Sequence, residues 1–551
     1  MARPARNAPF LLLAVALAVS AALTLALTWE YTFLQDTWEF LMNRRELSLE
    51  SLMDPHNEHI VVIPVAIQLL FLHLFGMDTA RPEIVLLTIG LLVTAYLLFV
   101  YVSRRVGPWF GLFATVLILF LGPAWELLLW PFEISLLGSV LFGLAMLLAL
   151  EREDRIGDVL ACLFLALSLG FSSLGIPFVF AALVVVALSP RERWAGRAFV
   201  VVIPVLLYAA WYLGWGHDAE SHLTLRNVLS SPRFVAESLA VGVGNLFGLG
   251  TDPVGGGIEL FWGAVLLAVI VALLVYRQLR KPGFDRGLWP VAAAAAANWF
   301  LTAFNQIPGR DPASSRYQYA SCVFIVLVLS NLLAGERFGR RAILIGGAIT
   351  LLAIAPNLVV LKDGSETFER QSVLTRADTA AIEIAERTVS PEFELTPEVA
   401  GTPSLIDIFA GEYLEAVDEF GSPAYTEAEL AVAPEEGRRQ ADIVLSQALP
   451  LTTRTVPDAY EAAGGRENCV TVPTATSPLS KFAIDPGASR IEVAPGPDAD
   501  LRLRRFAEGE FPVPIAPTHG GSVTVLRVPQ DKSPRPWYLH VDAAQPVRVC
   551  R

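Results

Sequence analysis

Between residues 8 and 361 the chain is a close succession of apolar runs, each near the ~20 residues a helix needs to cross a bilayer's hydrocarbon core. In hydrocarbon a backbone must satisfy its own hydrogen bonds, so such runs fold as a bundle of membrane helices. The rest of the composition agrees: of 551 residues, 54% are hydrophobic and only 17% charged, as in multi-pass membrane proteins. The formal net charge of −13 resides mostly after Lys362 and offers no basic face, which sets nucleic-acid recognition aside.

Charge sorts the connections into two faces. One set carries Arg3/Arg6, Arg104/Arg105, Arg152/Arg155, Arg191/Arg193/Arg197, Arg277/Arg280/Lys281/Arg286 and Arg337/Arg340/Arg341. The other carries only Arg44, Arg45, Arg81, Arg226, Arg233, Arg310 and Arg316. By the positive-inside rule the first set is cytoplasmic. The run from Ile60 to Gly76 would invert every later connection if it crossed, so it is read as a helix lying on the outer surface.

Crossing segments are then expected at roughly 8–28, 83–103, 107–124, 132–150, 156–171, 174–189, 198–214, 258–276, 287–305, 317–335 and 342–361. These about eleven spans put the N-terminus inside and everything after Lys362 outside the cytoplasmic membrane. The first apolar stretch is longer than a usual signal-peptide core and is read as a retained helix. Cytoplasmic connections are short and basic, suited to anionic headgroups. Those expected outside are longer, at 29–82, 215–257 and 306–316, with a shorter one at 122–132.

The fold class expected is therefore an all-α polytopic membrane domain over residues 1–361, followed by an extracytoplasmic α+β domain over 362–551. Within the latter, 362–465 reads as mostly helical, with Tyr413, Leu414, Val417 and Phe420 at helical spacing. Residues 466–551 read as mostly β with a sandwich-like end, from the alternating stretches at Arg490, Leu501, Ser522, Trp537 and Val547. Cys162 and Cys322 fall in apolar spans as ordinary packing. Cys469 and Cys550 fall in the exported part, where a bridge is permitted, and spacing leaves a disulfide and two free thiols equally open.

The first outer connection is the richest in reactive groups. Asp36 follows the first span closely, at the boundary of water and hydrocarbon where partial burial lifts a carboxylate toward general-base range; Glu39 lies beside it. The plainer reading makes Asp36 the N-cap of a surface helix starting at Thr37. His56, Glu58 and His59 have the chemistry to orient an acceptor or to hold a divalent cation, but their spacing is no zinc signature, and no metal is assigned. A hydrated helix start is the competing reading of this cluster. Arg310 and Arg316 can neutralise a phosphate leaving group near the membrane surface, and Arg316 with Tyr317 and Tyr319 can equally be interfacial anchoring. Glu133, in a Trp-rich turn with Glu126, is a further candidate because acidic groups near membrane depth are costly. The 215–257 connection holds His217, Asp218, Glu220 and His222, read as solvated, and glycines from Gly242 to Gly257 that suit a flexible or re-entrant segment. Trp537 can stack on sugar or fill a core.

Four of these features together resemble the GT-C membrane glycosyltransferases, which include protein O-mannosyltransferases and aminoarabinose transferases. They are an acidic pair after the first span (Asp36, Glu39), a His-containing turn feeding a surface helix (Pro55 to His59), a second span ending in Arg104-Arg105, and a late Arg316-Tyr317. The likeness covers roughly residues 8–361. It departs where the acidic pair is split and where Pro55-His56-Asn57-Glu58-His59 replaces a His-Pro-Pro-like turn.

The resemblance implies an inverting transfer of sugar from a polyprenyl-phosphate carrier to an envelope glycan or protein acceptor. Asp36 would act as base with Glu39 in support, and Arg316 would lie on the donor phosphate. Rival readings are a lipid or polymer transporter, which calls for buried mid-membrane charges and related halves, and a non-catalytic scaffold presenting an envelope-binding domain.

Overall fold

The computed structural model describes residues 4–219, 221–250, 260–396, 399, 405, 408–457, 469–472, 482–515 and 518–550. Two compact units emerge, each drawn from separated stretches of chain. The first comprises Met1–Tyr31, Arg44–Phe71 and Ala80–Phe368, and the second Thr32–Asn43, Leu72–Thr79 and Glu369–Arg551.

In order along the chain, the first helices are α1 (Pro4–Thr28), α2 (Asp36–Asn43), α3 (Leu49–Met53), α4 (Val62–Phe75), α5 (Arg81–Val106), α6 (Pro108–Leu119) and α7 (Trp125–Leu129). Next come α8 (Ile134–Leu150), α9 (Arg155–Phe171), α10 (Ile176–Leu188), α11 (Arg191–Arg197), α12 (Phe199–Gly214) and α13 (Leu225–Leu246). The series continues with α14 (Leu260–Arg280), α15 (Leu288–Phe304), α16 (Ser315–Leu332) and α17 (Arg340–Ala385).

Six described helical segments are long and apolar enough to cross a membrane: Asn7–Thr28, Arg81–Val106, Pro131–Leu150, Arg191–Gly214, Leu260–Arg280 and Arg340–Ala385. A seventh is the pair α6 and α7, bent by 54° where Gly122 and Pro123 interrupt the hydrogen-bond ladder. This is a membrane protein with an α-helical membrane unit. The run read as a surface helix forms α4, which at 14 residues is short for a crossing.

Small residues set the closest helix contacts, as expected where lipid provides no hydrophobic drive. A Cβ on Gly138 or Gly143 of α8 would strike the rings of Phe171 and Phe178. Beside them the Ser139 and Ser168 hydroxyls donate reciprocally to each other's backbone carbonyls at 2.8 Å, joining α8 to α9.

Helix α13 departs from expectation. The stretch 215–257 read as an open connection with a flexible or re-entrant glycine segment, yet Leu225–Leu246 is a 22-residue helix. Its buried stripe runs Asn227, Ser231, Phe234, Ser238, Val241, Asn245, a helical spacing hidden in the sequence because four of the six are polar. Thr224 caps it by accepting from Asn227 N at 3.1 Å. The Asn227 amide donates to Phe304 O and Gln306 O, and Asn245 to Gln318 Oε1 at 2.8 Å. Both ends of α13 are thus tied to residues flanking the 305–314 loop. Gly242 and Gly244 lie inside the helix and Gly248 follows it at φ 68°; Glu220 and Gly255–Gly257 lie outside the described residues. The exposed His217 stands 3.5 Å from Asp218.

The last apolar span was expected to end near 361, but α17 runs unbroken for 46 residues, roughly 70 Å at 1.5 Å per residue. Hydropathy marks where lipid ends; the backbone after Lys362 simply keeps its helical hydrogen bonds.

The second unit contains α2, the end of α17, and the paired strands β1 (Glu394–Leu395) and β2 (Ile408–Phe409). Three helices follow, α18 (Ala410–Phe420), α19 (Glu427–Leu430) and α20 (Glu435–Ala448). Then come β3 (Thr452–Val456), β4 (Cys469–Val472), β5 (Phe482–Ile484), β6 (Gly487–Val493), β7 (Asp500–Arg504), β8 (Val513–Pro514), β9 (Val523–Val528), β10 (Trp537–Asp542) and β11 (Val547–Cys550).

These make two antiparallel sheets, of order β3-β9-β6-β11-β4 and β5-β10-β7-β8. All five alternating stretches noted in the sequence are strands. Alternation buries Trp537, Leu539 and Val541 on one face of β10, so Trp537, fully buried, is a core residue and not a sugar platform. Helix α20 is pinned to the strands by Asp442, whose carboxylate accepts the backbone N–H groups of Arg505, Phe506 and Ala507 at 2.9–3.0 Å.

Cys469 and Cys550 face one another in the β4–β11 register and form a disulfide. The bridge spans 81 residues, so closing that loop stabilises the unit by on the order of 4 kcal/mol on the chain-entropy model. Cys550→Ser should lower the unfolding transition of the second unit by about that amount, read by strand-region hydrogen exchange, and reductant should produce the same loss in the wild type only.

Candidate functional site

The site grows from a turn of the first unit. Helix α3 is capped by Ser48 and ends at Asp54, because Pro55 has no N–H with which to continue it. Asn57 then adopts a left-handed conformation, φ 51°, tolerated by asparagine. This lets His56 and His59 exchange backbone hydrogen bonds of 3.0 and 2.9 Å. The cluster is a tight hairpin-like turn, which corrects the reading of a hydrated helix start.

Three side chains fasten that turn. The buried Arg44 guanidinium donates to Asp54 O at 2.9 Å and Pro55 O at 2.8 Å. The Trp211 indole donates to Met53 O at 2.7 Å, and the Ser173 hydroxyl to Glu58 O at 3.2 Å.

Opposite lies the loop between α15 and α16. Pro308 and Gly309, the latter at φ 87°, turn the chain so that Arg310 N donates to Ile307 O at 3.0 Å. The Ser314 hydroxyl donates to Gly309 O at 2.8 Å and closes the loop. The Arg310 fork meets the Glu58 carboxylate with Nη1 on Oε1 and Nη2 on Oε2, the latter at 2.9 Å. Both side chains are about 15% exposed, and this bidentate geometry is the strong form of the pair. Next along, Arg316 Nε donates to Glu126 Oε2 at 3.0 Å, with its guanidinium 5.8 Å from the Trp130 ring centroid.

Glu58, His59, Arg310 and Tyr317 line one side of a cavity of ≈ 210 Å³. His59 feels the charges of Glu58, Arg310, His56 and Arg316, and Tyr317 those of Arg310, Arg316, Glu58 and Glu133. His56 is buried with its ring edge-on to Phe132 at 5.3 Å, and Glu133 is buried beside them. Six of the eight residues singled out in the sequence therefore share one neighbourhood, although they come from three distant segments.

Burial drives the His59 imidazole down to about 4, reinforced by Arg310 and opposed by Glu58, so His59 is neutral at physiological pH. Burial pushes the Glu58 carboxyl up, but His59 and the Arg310 guanidinium outweigh it and hold the carboxyl below its ordinary value.

Asp36 and Glu39 belong to the second unit. Gln35 precedes them in a left-handed conformation, φ 48°, its amide donating to Gln371 Oε1 at 3.1 Å. Asp36 is the first residue of α2, and Glu39, one turn on, shares its face; both are half-buried. The helix is held by Trp38, whose indole donates to Phe33 O at 2.9 Å and whose ring packs against Tyr413 at 6.0 Å.

Among the described residues no group of three or more His, Cys, Asp and Glu side chains converges to hold a metal ion. His56 is packed on Phe132 and Glu58 is engaged by Arg310, so the cluster does not present a common ligand set.

The cavity lining also brings in Ser173, Tyr208, Asn298, Thr302 and Asn305, which the sequence reading passed over. A signal was present: Asn298, Thr302 and Asn305 recur at i, i+4 and i+7 along an otherwise apolar, alanine-rich stretch, a polar stripe on one face.

Because the folded protein holds His59 neutral, its contribution to stability is complete above pH 6.5 and is lost as pH falls toward 4. The Glu58 contribution, from a lowered carboxylate, disappears below the ordinary glutamate value, in the same direction. Melting temperature in lipid should fall between pH 6.5 and 4, and His59→Gln should flatten that part of the profile.

Comparison with protein-family models, curated proteins and solved structures finds no match to this chain.

Proposed function

We propose that the protein is a GT-C-type membrane glycosyltransferase moving a sugar from a polyprenyl-phosphate donor to an acceptor on the outer face of the cytoplasmic membrane. In this reading all eleven apolar segments cross, α4 lies on the outer surface, and the second unit is extracytoplasmic. An extracytoplasmic second unit suits the Cys469–Cys550 bridge, since disulfides persist in oxidising compartments.

Asp36 takes the proton of an acceptor hydroxyl as its oxygen attacks the anomeric carbon. The bond from that carbon to the phosphate oxygen breaks, polyprenyl phosphate leaves with the electron pair, and the configuration inverts. Glu39 supports the base. Arg310 and Arg316 meet the charge growing on the phosphate, exchanging for it the carboxylates of Glu58 and Glu126 that they now hold. His56, Glu58, His59 and Glu133 orient the acceptor.

The observation that carries the reading is that Glu58, His59 and Arg310 line one cavity in a membrane helix bundle, with His56, Glu133 and Arg316 close enough to interact electrostatically with its lining residues. Purified protein in lipid, given a panel of polyprenyl-phosphate sugars and envelope-glycan acceptors, should consume at least one donor. Asp36→Asn should lower turnover on the order of 10²–10⁴-fold with folding retained, and Arg316→Ala should also reduce it. Absence of donor consumption by the wild type would favour the transporter or the scaffold.

A further inference from the structure

The chemistry of the cavity wall specifies its occupant more narrowly than transferase activity does. Its two charged groups, Glu58 and Arg310, are bonded to each other, and His59 carries no charge near neutrality. The lining thus sums to zero. Free phosphate would have to break a bidentate, largely buried pair to reach Arg310 without the sugar and lipid contacts that accompany the donor's phosphate, and a cation would have to do the same for Glu58.

The remaining polar groups are neutral and come from separate elements. Ser173 and Tyr208 share a hydrogen bond of 3.2 Å, while Asn298, Thr302 and Asn305 stand on successive turns of one helical face. Asn298 is only 4% exposed and lines the cavity. Such a group, buried at membrane depth and lining a cavity, is costly unless a ligand or solvent satisfies it. The lining also includes the apolar side chains of Leu136, Ile176 and Leu301 and the ring of Tyr317.

A mainly apolar lining with a few neutral polar groups matches a molecule with C–H faces and hydroxyl edges. The space, ≈ 210 Å³, admits a small substituted ring, given that one water needs only about 10–15 Å³ by a comparable measure. We propose that this cavity binds one uncharged pyranose ring, with the Glu58–Arg310 pair addressing neighbouring hydroxyls and Asn298, Thr302 and Tyr208 the remaining ones. The proposal deepens the glycosyltransferase reading and rests on it for its role. The ring can be that of the lipid-linked donor or that of an acceptor glycan.

The test uses the full chain in lipid nanodiscs, with melting temperature and intrinsic tryptophan fluorescence read against methyl pyranosides at millimolar concentration and against inorganic phosphate. At least one neutral glycoside should bind saturably, and phosphate alone should leave both signals unmoved. Thr302→Val and Tyr208→Phe, each isosteric and each losing a single hydrogen bond to the ring, should weaken binding ~2- to 10-fold. Their ligand-free melting temperatures should remain near wild type, which separates lost recognition from lost folding.

Adding a polyprenyl-phosphate sugar identifies the source. Loss of the glycoside signal assigns the ring site to the donor, and its persistence assigns the site to the acceptor. No binding by any glycoside, or binding untouched by both variants, or a response to phosphate alone, overturns the proposal. Glycoside binding without any sugar transfer would leave the ring site standing and remove the transferase reading; transfer without glycoside binding would do the reverse.

Discussion

The pairing of Glu58 with Arg310 is the contact on which the membrane unit's polar site depends. It joins residues 252 positions apart, one in a hairpin-like turn and the other in a proline- and glycine-shaped loop. Two charges removed from water cost several kcal/mol each in solvation, a loss offset only by good geometry and further hydrogen bonds. The fork geometry meets that condition. Removing one partner would strand the other charge and cost about 3–5 kcal/mol, so the turn and the loop hold their places through one another.

The surroundings fix each partner beforehand. Arg44, Trp211 and Ser173 hold the backbone of the 54–59 turn, and α13, tied at one end to Phe304 and Gln306 and at the other to Gln318, braces the segment that carries Arg310. Rigid support of this kind is what a binding site requires. The same economy appears in the second unit, where the single carboxylate of Asp442 satisfies three consecutive backbone donors and burial pushes that carboxyl up to about 6.

Much of this fold was legible in the sequence where one face of an element is uniformly apolar. The apolar runs became helices, and the strands at Arg490, Leu501, Ser522, Trp537 and Val547 followed from their alternation. Legibility failed where burial is polar. Helix α13 hides because Asn227, Ser231, Ser238 and Asn245 face inward, and α17 outruns its apolar stretch because helicity and hydropathy stop for different reasons. Individual site residues can be picked out by chemistry, but which cation meets which carboxylate is a property of folding, and nothing in the spacing of Glu58 and Arg310 announces that they hold each other. The polar stripe of Asn298, Thr302 and Asn305 is present in the sequence at i, i+4 and i+7, but within an alanine-rich apolar run that composition marks only as a span.

A double-mutant cycle between Glu58→Gln and Arg310→Gln, scored by unfolding free energy of the protein in lipid, tests the pair at the centre of this account. The predicted result is a coupling energy above about 1 kcal/mol, with the double variant less damaged than the two single losses summed. Additivity within about 0.5 kcal/mol would mean that the two residues do not support one another, and would contradict it.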